Sequence, residues 1–255
     1  MKPGEIILNG LSSETLGFRV QSRPTISSPR RRLEFIDAPG LSGSIVYDDN
    51  SFEDTPFELT IIIKGTGRDD HYEIMDKIWD VYNYFDTGQY VSMIPWFDDR
   101  KEYFVIPDEG KGPEFINNRY MDGHIVATIP LKCRPYKYIL GYVEQTPTNF
   151  NNFTLVSPER THGGAPLIIL DGNSVDSPNI SVNGVKFNLI SITDNLYIDS
   201  ESRMCYSIIN GQYINRNSTV LTKEYPVLKK GSNNIIVTGS GITRVRVTPR
   251  WRSRI

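Results

Sequence analysis

Pro135 ends the strand signal in the stretch that most constrains this chain. Leu131-Lys132-Cys133-Arg134 alternates apolar and polar residues as a strand does. Proline has no N–H to give a sheet, and it biases the preceding Arg134 toward extended backbone, so the strand must stop or leave its sheet there. Beyond Tyr136-Lys137-Tyr138 the chain is poor in large aliphatics and rich in Asn, Thr, Ser, Pro and Gly. Gly163-Gly164-Ala165-Pro166 then opens a new apolar run, Leu167-Ile168-Ile169-Leu170. Such a segment marks a domain boundary. The expected division is a first domain over 1–135, a linker over 136–160 and a second domain over 161–255. A chain of 255 residues can hold two cores, since domains run about 100 to 150 residues.

Abundant Gly, Pro, Asn, Tyr and Ile with little alanine favour strands and turns over helices. Asn9-Gly10 reads as a hairpin turn within an alternating stretch from 5 to 23. Arg23-Pro24 and Ser28-Pro29-Arg30-Arg31-Arg32 do not suit a buried central strand. Leu33–Ile36 and Ser44–Tyr47 flank Asp37-Ala38-Pro39-Gly40-Leu41-Ser42-Gly43, which predicts a long-looped hairpin. Phe57–Lys64 predicts a strand with Leu59, Ile61 and Ile63 on one face. The one helix expected runs from about Asp69 to Asp86, capped by Asp69 or Asp70, with Glu73 in its first turn and Gly88 ending it. Met75, Ile78, Trp79, Tyr82 and Phe85 form its expected buried stripe.

After 160 no helix is expected. Apolar runs at Leu167–Leu170, Ile180–Val182, Val185–Ile190, Leu196–Asp199, Met204–Ile208, Asn234–Val237 and Thr243–Val247 are separated by Asp171-Gly172, Asn183-Gly184, Asn210-Gly211 and Gly239-Ser240-Gly241. That rhythm predicts a two-sheet sandwich. The fold class expected is therefore mainly β: an α+β first domain and an all-β second one.

Candidate chemistry is sparse. His71, His124 and His162 are the only histidines, at a helix start, a turn after Asp122-Gly123 and the linker, and none has zinc-ligand spacing. No nucleophile elbow, P-loop or dinucleotide fingerprint occurs. Cys133 and Cys205 have no redox or zinc spacing and are expected as free, packed thiols. No catalysis, metal or cofactor is expected, which counts against a small esterase-like hydrolase. A net charge of −2 gives no global case for nucleic-acid or membrane binding. The start Met1-Lys2-Pro3-Gly4-Glu5 lacks a signal peptide's apolar core, and no run reaches the roughly 18 apolar residues of a membrane span. Synthesis in a reducing cytoplasm is expected, with the sequons at Asn152, Asn179 and Asn217 as chance occurrences.

Asp48-Asp49-Asn50-Ser51-Phe52-Glu53-Asp54 lacks the glycine of a calcium loop. Its acidic side chains, Asp48, Asp49, Glu53 and Asp54, suit either a solvated loop or the lining of a passage that must not bind phosphate. Near the end, Arg244 and Arg246 alternate with Val245 and Val247 as the exposed face of a strand, and Arg250-Trp251-Arg252-Ser253-Arg254 reads as a solvated end, with a docking peptide or a segment that stacks on bases and binds phosphates as the alternatives.

Several of these stretches, in this order, resemble one known family. They are Ile6-Ile7-Leu8-Asn9-Gly10, the Ala38–Ser44 turn, Leu131-x-Cys133-x-Pro135-Tyr136-x-Tyr138, the Gly164-Ala165-Pro166 opening, Tyr197-Ile198-Asp199-Ser200 and Tyr225-Pro226-Val227-Leu228-x-x-Gly231-x-Asn233. Together they are similar to the distal tail (Dit) proteins of siphophages, the long-tailed, non-contractile bacteriophages. Many members carry an Arg-Asp pair where this chain has Leu41 and Ser42. The resemblance implies a structural protein of the virion that forms a homo-hexameric ring at the tail tip and leaves a channel through which DNA passes without specific binding. The first domain would form the ring, closed by a hairpin arm of Leu33, Glu34, Phe35, Ile36, Pro39, Gly40, Leu41, Gly43, Ile45 and Tyr47. The second would be a galectin-like β-sandwich directed outward. Implied partners are the tail tube protein, a tail-tip or tail-associated lysin protein, and a baseplate or receptor-binding protein, with no membrane insertion. The rival reading is a carbohydrate-binding module. Against it, no Trp or His lies between Pro166 and Val247 to stack and hold a sugar.

Overall fold

A computed structural model describes residues 1–64, 71–115, 124–141 and 143–255, with side chains for all of these except 50, 71–75 and 115. The expected caps at Asp69 or Asp70 and the Asp122-Gly123 turn lie outside the described residues, as do the side chains of His71, Glu73 and Met75. In chain order the elements are β1 (Ile6–Leu8), β2 (Leu11–Ser12), β3 (Phe18–Val20), β4 (Arg31–Ile36), β5 (Ile45–Phe52), β6 (Thr55–Lys64), α1 (His71–Phe85), β7 (Val91–Pro95), β8 (Lys101–Pro107), β9 (Glu114–Phe115), β10 (His124–Cys133) and β11 (Tyr136–Ile139). They continue as β12 (Asn152–Val156), β13 (Leu167–Gly172), β14 (Asn179–Val182), β15 (Val185–Asn188), β16 (Asn195–Asp199), β17 (Met204–Ile209), β18 (Gln212–Asn215), β19 (Ser232–Thr238), β20 (Ile242–Thr248) and β21 (Arg252–Arg254). The protein is mainly β. It divides into two compact units: Met1–Lys137 with Arg254–Ile255, and Tyr138–Ser253.

In the first unit the sheet runs β2-β1-β7-β8-β10-β6-β3. Its spine is the antiparallel pairing of β10 with β6, continuous from His124↔Lys64 to Cys133↔Thr55. Because side chains alternate along a strand, Phe57, Leu59, Ile61 and Ile63 are buried together, opposite Leu131, Ile129, Ala127 and Ile125. The Asn9-Gly10 turn forms as expected, both residues at positive φ, and joins β1 to β2. Tyr103 is fully buried. Its hydroxyl donates to Asp98 at 2.8 Å, and Lys137 donates to the same Asp98 oxygen at 2.8 Å. Burial alone would raise the Asp98 pKa, but these donors outweigh it and hold the carboxyl below its ordinary value.

Helix α1 packs on this sheet with Ile78, Val81 and Phe85, spaced i, i+3 and i+7. Trp79 is not part of that stripe and is 62% exposed. The packed face centres between Ile78 and Val81, and one residue on from Ile78 turns the helix by about 100°, which carries Trp79 to the outside. Cys133 and Cys205 are free and buried. Burial pushes their thiols up to about 12 and about 11, so neither carries thiolate near neutral pH.

The second unit is a sandwich of two antiparallel sheets, β12-β19-β14-β15 and β18-β17-β16-β13-β20. Its core takes Ile180, Phe187, Ile235 and Val237 from one sheet and Ile168, Leu170, Ile198 and Val245 from the other. Asn183-Gly184 and Asn210-Gly211 form hairpin turns at positive φ. Asp171-Gly172 is not a turn. It continues β13 as a bulge, with Gly172 so close to the neighbouring backbone that a Cβ there would lie 2.1 Å from the Gly241 carbonyl oxygen. Nor is 136–160 a plain linker. β12 pairs with β19 at the sheet edge, burying Leu155 and packing Phe153 against the same core. The expected solvated C-terminus is also corrected: Trp251 is 1% exposed, within the second unit's core. Arg250 pairs with Asp199 at 2.6 Å and Arg246 with Asp171 at 2.9 Å.

Asn233, fully buried, ties the 229–231 loop and the Asn183 turn to β19. Its Oδ1 accepts from the Lys229 amide at 2.7 Å and from Asn183 Nδ2 at 2.9 Å. Its Nδ2 donates to the carbonyls of Lys229 at 2.9 Å and Gly231 at 3.1 Å. Asn233→Ala leaves these buried groups without partners, so it should cost the full chain about 3 kcal/mol of stability in urea unfolding; a loss below about 1 kcal/mol would locate the pinning elsewhere. Trp79→Ala, by contrast, should change stability by less than about 1 kcal/mol, read from the same transition.

Candidate assembly surface

The β4–β5 hairpin carries every residue of the expected arm. Ile36↔Ile45, Phe35↔Val46, Glu34↔Tyr47 and Leu33↔Asp48 are paired, and among the described residues these two strands pair only with each other. At the tip, Gly40 and Gly43 take positive φ, the Leu41 amide donates to the Ala38 carbonyl at 3.1 Å, and the Ser44 hydroxyl donates to Asp37 at 2.6 Å. Pro39 lies in the same loop.

Alternation gives this ribbon two apolar faces. Leu33, Phe35 and Val46 lie on one, and Ile36, Ile45 and Tyr47 on the other. All six are exposed, Phe35 to 64% and Tyr47 to 59%, as is Leu41 at the tip. A lone two-stranded hairpin is marginal in water, and contiguous exposed apolar surface marks an interaction site. The root is firm. Phe52 lies edge-on to Tyr136 at 6.0 Å, and the Arg254 guanidinium sits 4.3 Å from the centre of the Phe52 ring. Arg254 and Val46 carried no functional signal in the sequence: Arg254 is 202 positions from Phe52 (254 − 52), and Val46 reads only as one more strand residue.

The four acidic residues are separated. Asp48 lies within β5 and pairs with Arg31 at 2.5 Å. Asp54 accepts a hydrogen bond from the Tyr90 hydroxyl, whose pKa is pushed up to about 12 by burial and by that carboxylate. Asp49 accepts from the Ser51 hydroxyl and amide, each at 2.8 Å, and these bonds hold its carboxyl below the ordinary value. Glu53 is exposed, its amide donating to the Arg30 carbonyl at 2.8 Å. The basic run at Arg30-Arg31-Arg32, on the strand opposite, offsets this acidic stretch. Among the described residues no group of His, Cys, Asp and Glu is placed to hold a metal ion.

No protein-family profile and no curated protein matches this chain in sequence. Among solved structures, the Dit (gp 19.1) protein of SPP1, described as a paradigm of the hub adsorption apparatus in phages infecting Gram-positive hosts, aligns with a TM-score of 0.68. The alignment covers 98% of each chain at 13% identity. This chain has the Dit fold. Two structures of the phage P2 baseplate in its activated conformation, with Ca and with Sr, cover 94% of this chain and 91% of theirs. Their identities are 10% and 11% and their TM-scores 0.48 and 0.47, too low to bear on the Dit fold assignment.

Since the hairpin's apolar side chains touch water rather than the core, Phe35→Asp with Val46→Asp should leave urea unfolding of the isolated chain unchanged to within about 1 kcal/mol. A larger loss would mean that the ribbon packs on its own subunit.

Proposed function

We propose that this protein is a structural component of a phage virion, a distal tail protein whose first unit assembles into a six-membered ring at the tip of a siphophage tail. The observation that carries this reading is the two-faced apolar ribbon of β4 and β5 on a chain with the Dit fold. Its own sheet covers neither face, whereas in a closed ring each copy's arm can lie against the next copy. Neighbouring tail-tube, tail-tip and baseplate proteins are the partners that such a hub would join, and its place is the assembled virion after synthesis in the host cytoplasm. It acts by assembly and without catalysis.

In such a ring DNA would cross the centre without specific binding. Asp49 and Glu53 are the carboxylates left to line that passage, because Asp48 and Asp54 are engaged with Arg31 and Tyr90. Light scattering and negative-stain images of the purified chain test the reading: a sixfold ring is expected, and deletion of Glu34–Ser44 with a short Gly-Ser joint should leave folded monomers. Unchanged oligomers after the deletion would remove the arm from the interface, and a wild-type chain that stays monomeric even with its tail partners would overturn the ring.

A further inference from the structure

The segment Tyr225-Pro226-Val227, part of a motif that the assembly reading leaves without a role, forms one wall of a cavity of about 140 Å³ in the second unit. The β14–β15 hairpin forms the other wall. Val182 and Phe187 are buried at its floor, and the Tyr225 ring lies 5.0 Å from that of Phe187. Both ends of the wall are tied down. The Leu221 amide donates to the Asn188 carbonyl at 2.9 Å and the Thr222 hydroxyl accepts from the Asn188 amide at 2.8 Å, while the Lys229 amide is held by Asn233. The cavity is thus pre-formed, as binding pockets usually are.

Size and charge select its occupant. An apolar cavity of roughly 150 Å³ accepts a benzene ring. At the rim Val185 and Val227 are more than half exposed, and Lys186, Lys229 and Glu224 are exposed without an ion-pair partner among the described residues. Two ammonium groups against one carboxylate leave one positive charge in excess. A phosphate group would use the lysines and leave the apolar hole empty; an uncharged apolar ligand would fill the hole and ignore the lysines. We propose that this cavity is a docking site for a protein segment that inserts one phenylalanine ring beside an acidic residue. The ring fills the space over Phe187 and Tyr225, and its neighbouring carboxylate meets Lys186 or Lys229. A buried aromatic anchor supplies most of the affinity in such contacts, and rim charges supply selectivity. The inference holds whether or not the first unit forms rings.

Titration of the ¹⁵N-labelled full chain with short capped peptides tests it. Acetyl-Asp-Phe-Asp-amide should shift the amide signals of Val182, Phe187 and Tyr225, more weakly as salt is raised. Acetyl-Asp-Ala-Asp-amide should not shift them, and acetyl-Lys-Phe-Lys-amide should bind at least threefold more weakly than the acidic peptide. Lys186→Ala with Lys229→Ala, both on the surface, should erase that threefold preference while leaving the chain's unfolding unchanged. Equal shifts from the acidic and basic peptides, or none at these residues, would overturn the proposal. So would binding of 3-phenylpropionate without binding of the acidic peptide, which would make this a small-molecule site.

Discussion

The pairing of β6 with β10 is the interaction from which the first unit hangs. Ten successive residues of each strand face each other without a register break, and one face of that ladder supplies the apolar floor under α1. The ladder also sets where the functional parts begin. β5 runs through Phe52 and Asp54 straight into β6, so the arm is rooted on the most heavily paired strand of the unit. At the other end β10 runs out through Cys133 into Arg134, whose guanidinium lies 4.5 Å from the Tyr90 ring centre and 5.5 Å from that of Phe104. Pro135, with no N–H to give, ends the ladder there, and β11 begins at the next residue as a strand paired with β8.

The second unit solves a different problem. Its strands are short, and several loops must be held against one another for the two sheets to share a core. Asn233 does this with one side chain, because an amide offers donors and acceptors at once and a buried backbone group left unpaired is costly. Bidentate pairing of Arg246 with Asp171 plays a comparable part on the outer face of the other sheet. The close backbone approach at Gly172 and Gly241 serves the same end, since any side chain there would collide with a carbonyl.

The arm is an exception to the economy of the rest. Natural proteins rarely leave a ribbon apolar on both faces, because nothing in the monomer repays that exposure. Its root, by contrast, is well satisfied through Phe52, Tyr136, Arg254 and the Arg31–Asp48 pair. A firm root with an uncovered blade is the arrangement expected of an element whose partner is another molecule. The same ion pair explains why the acidic stretch is not a continuous negative surface: the register of β4 on β5 brings the basic run against it.

Period-two alternation and turn chemistry are local, so they were legible in the residues alone. They placed β6, the Asn-Gly hairpins and the arm's strands, and the order of the short motifs carried the resemblance to distal tail proteins. Four expectations failed where the answer depends on what lies across a space. Trp79 fits a helical stripe, but only the sheet beneath α1 decides which side of that stripe is packed. Asp171-Gly172 has the composition of a turn, yet the neighbouring Gly241 backbone makes it a bulge. Leu155 and Trp251 sit in stretches that read as linker and tail, and they become core because β19 and the sandwich offer them apolar surface to cover. The sequence by itself determined which segments are strands and where the chain must turn, since backbone sterics and side-chain alternation act between near neighbours. Only the tertiary structure decided which apolar groups are buried, which charges are cancelled and which cavity stays open, because those follow from surfaces that meet across long stretches of chain.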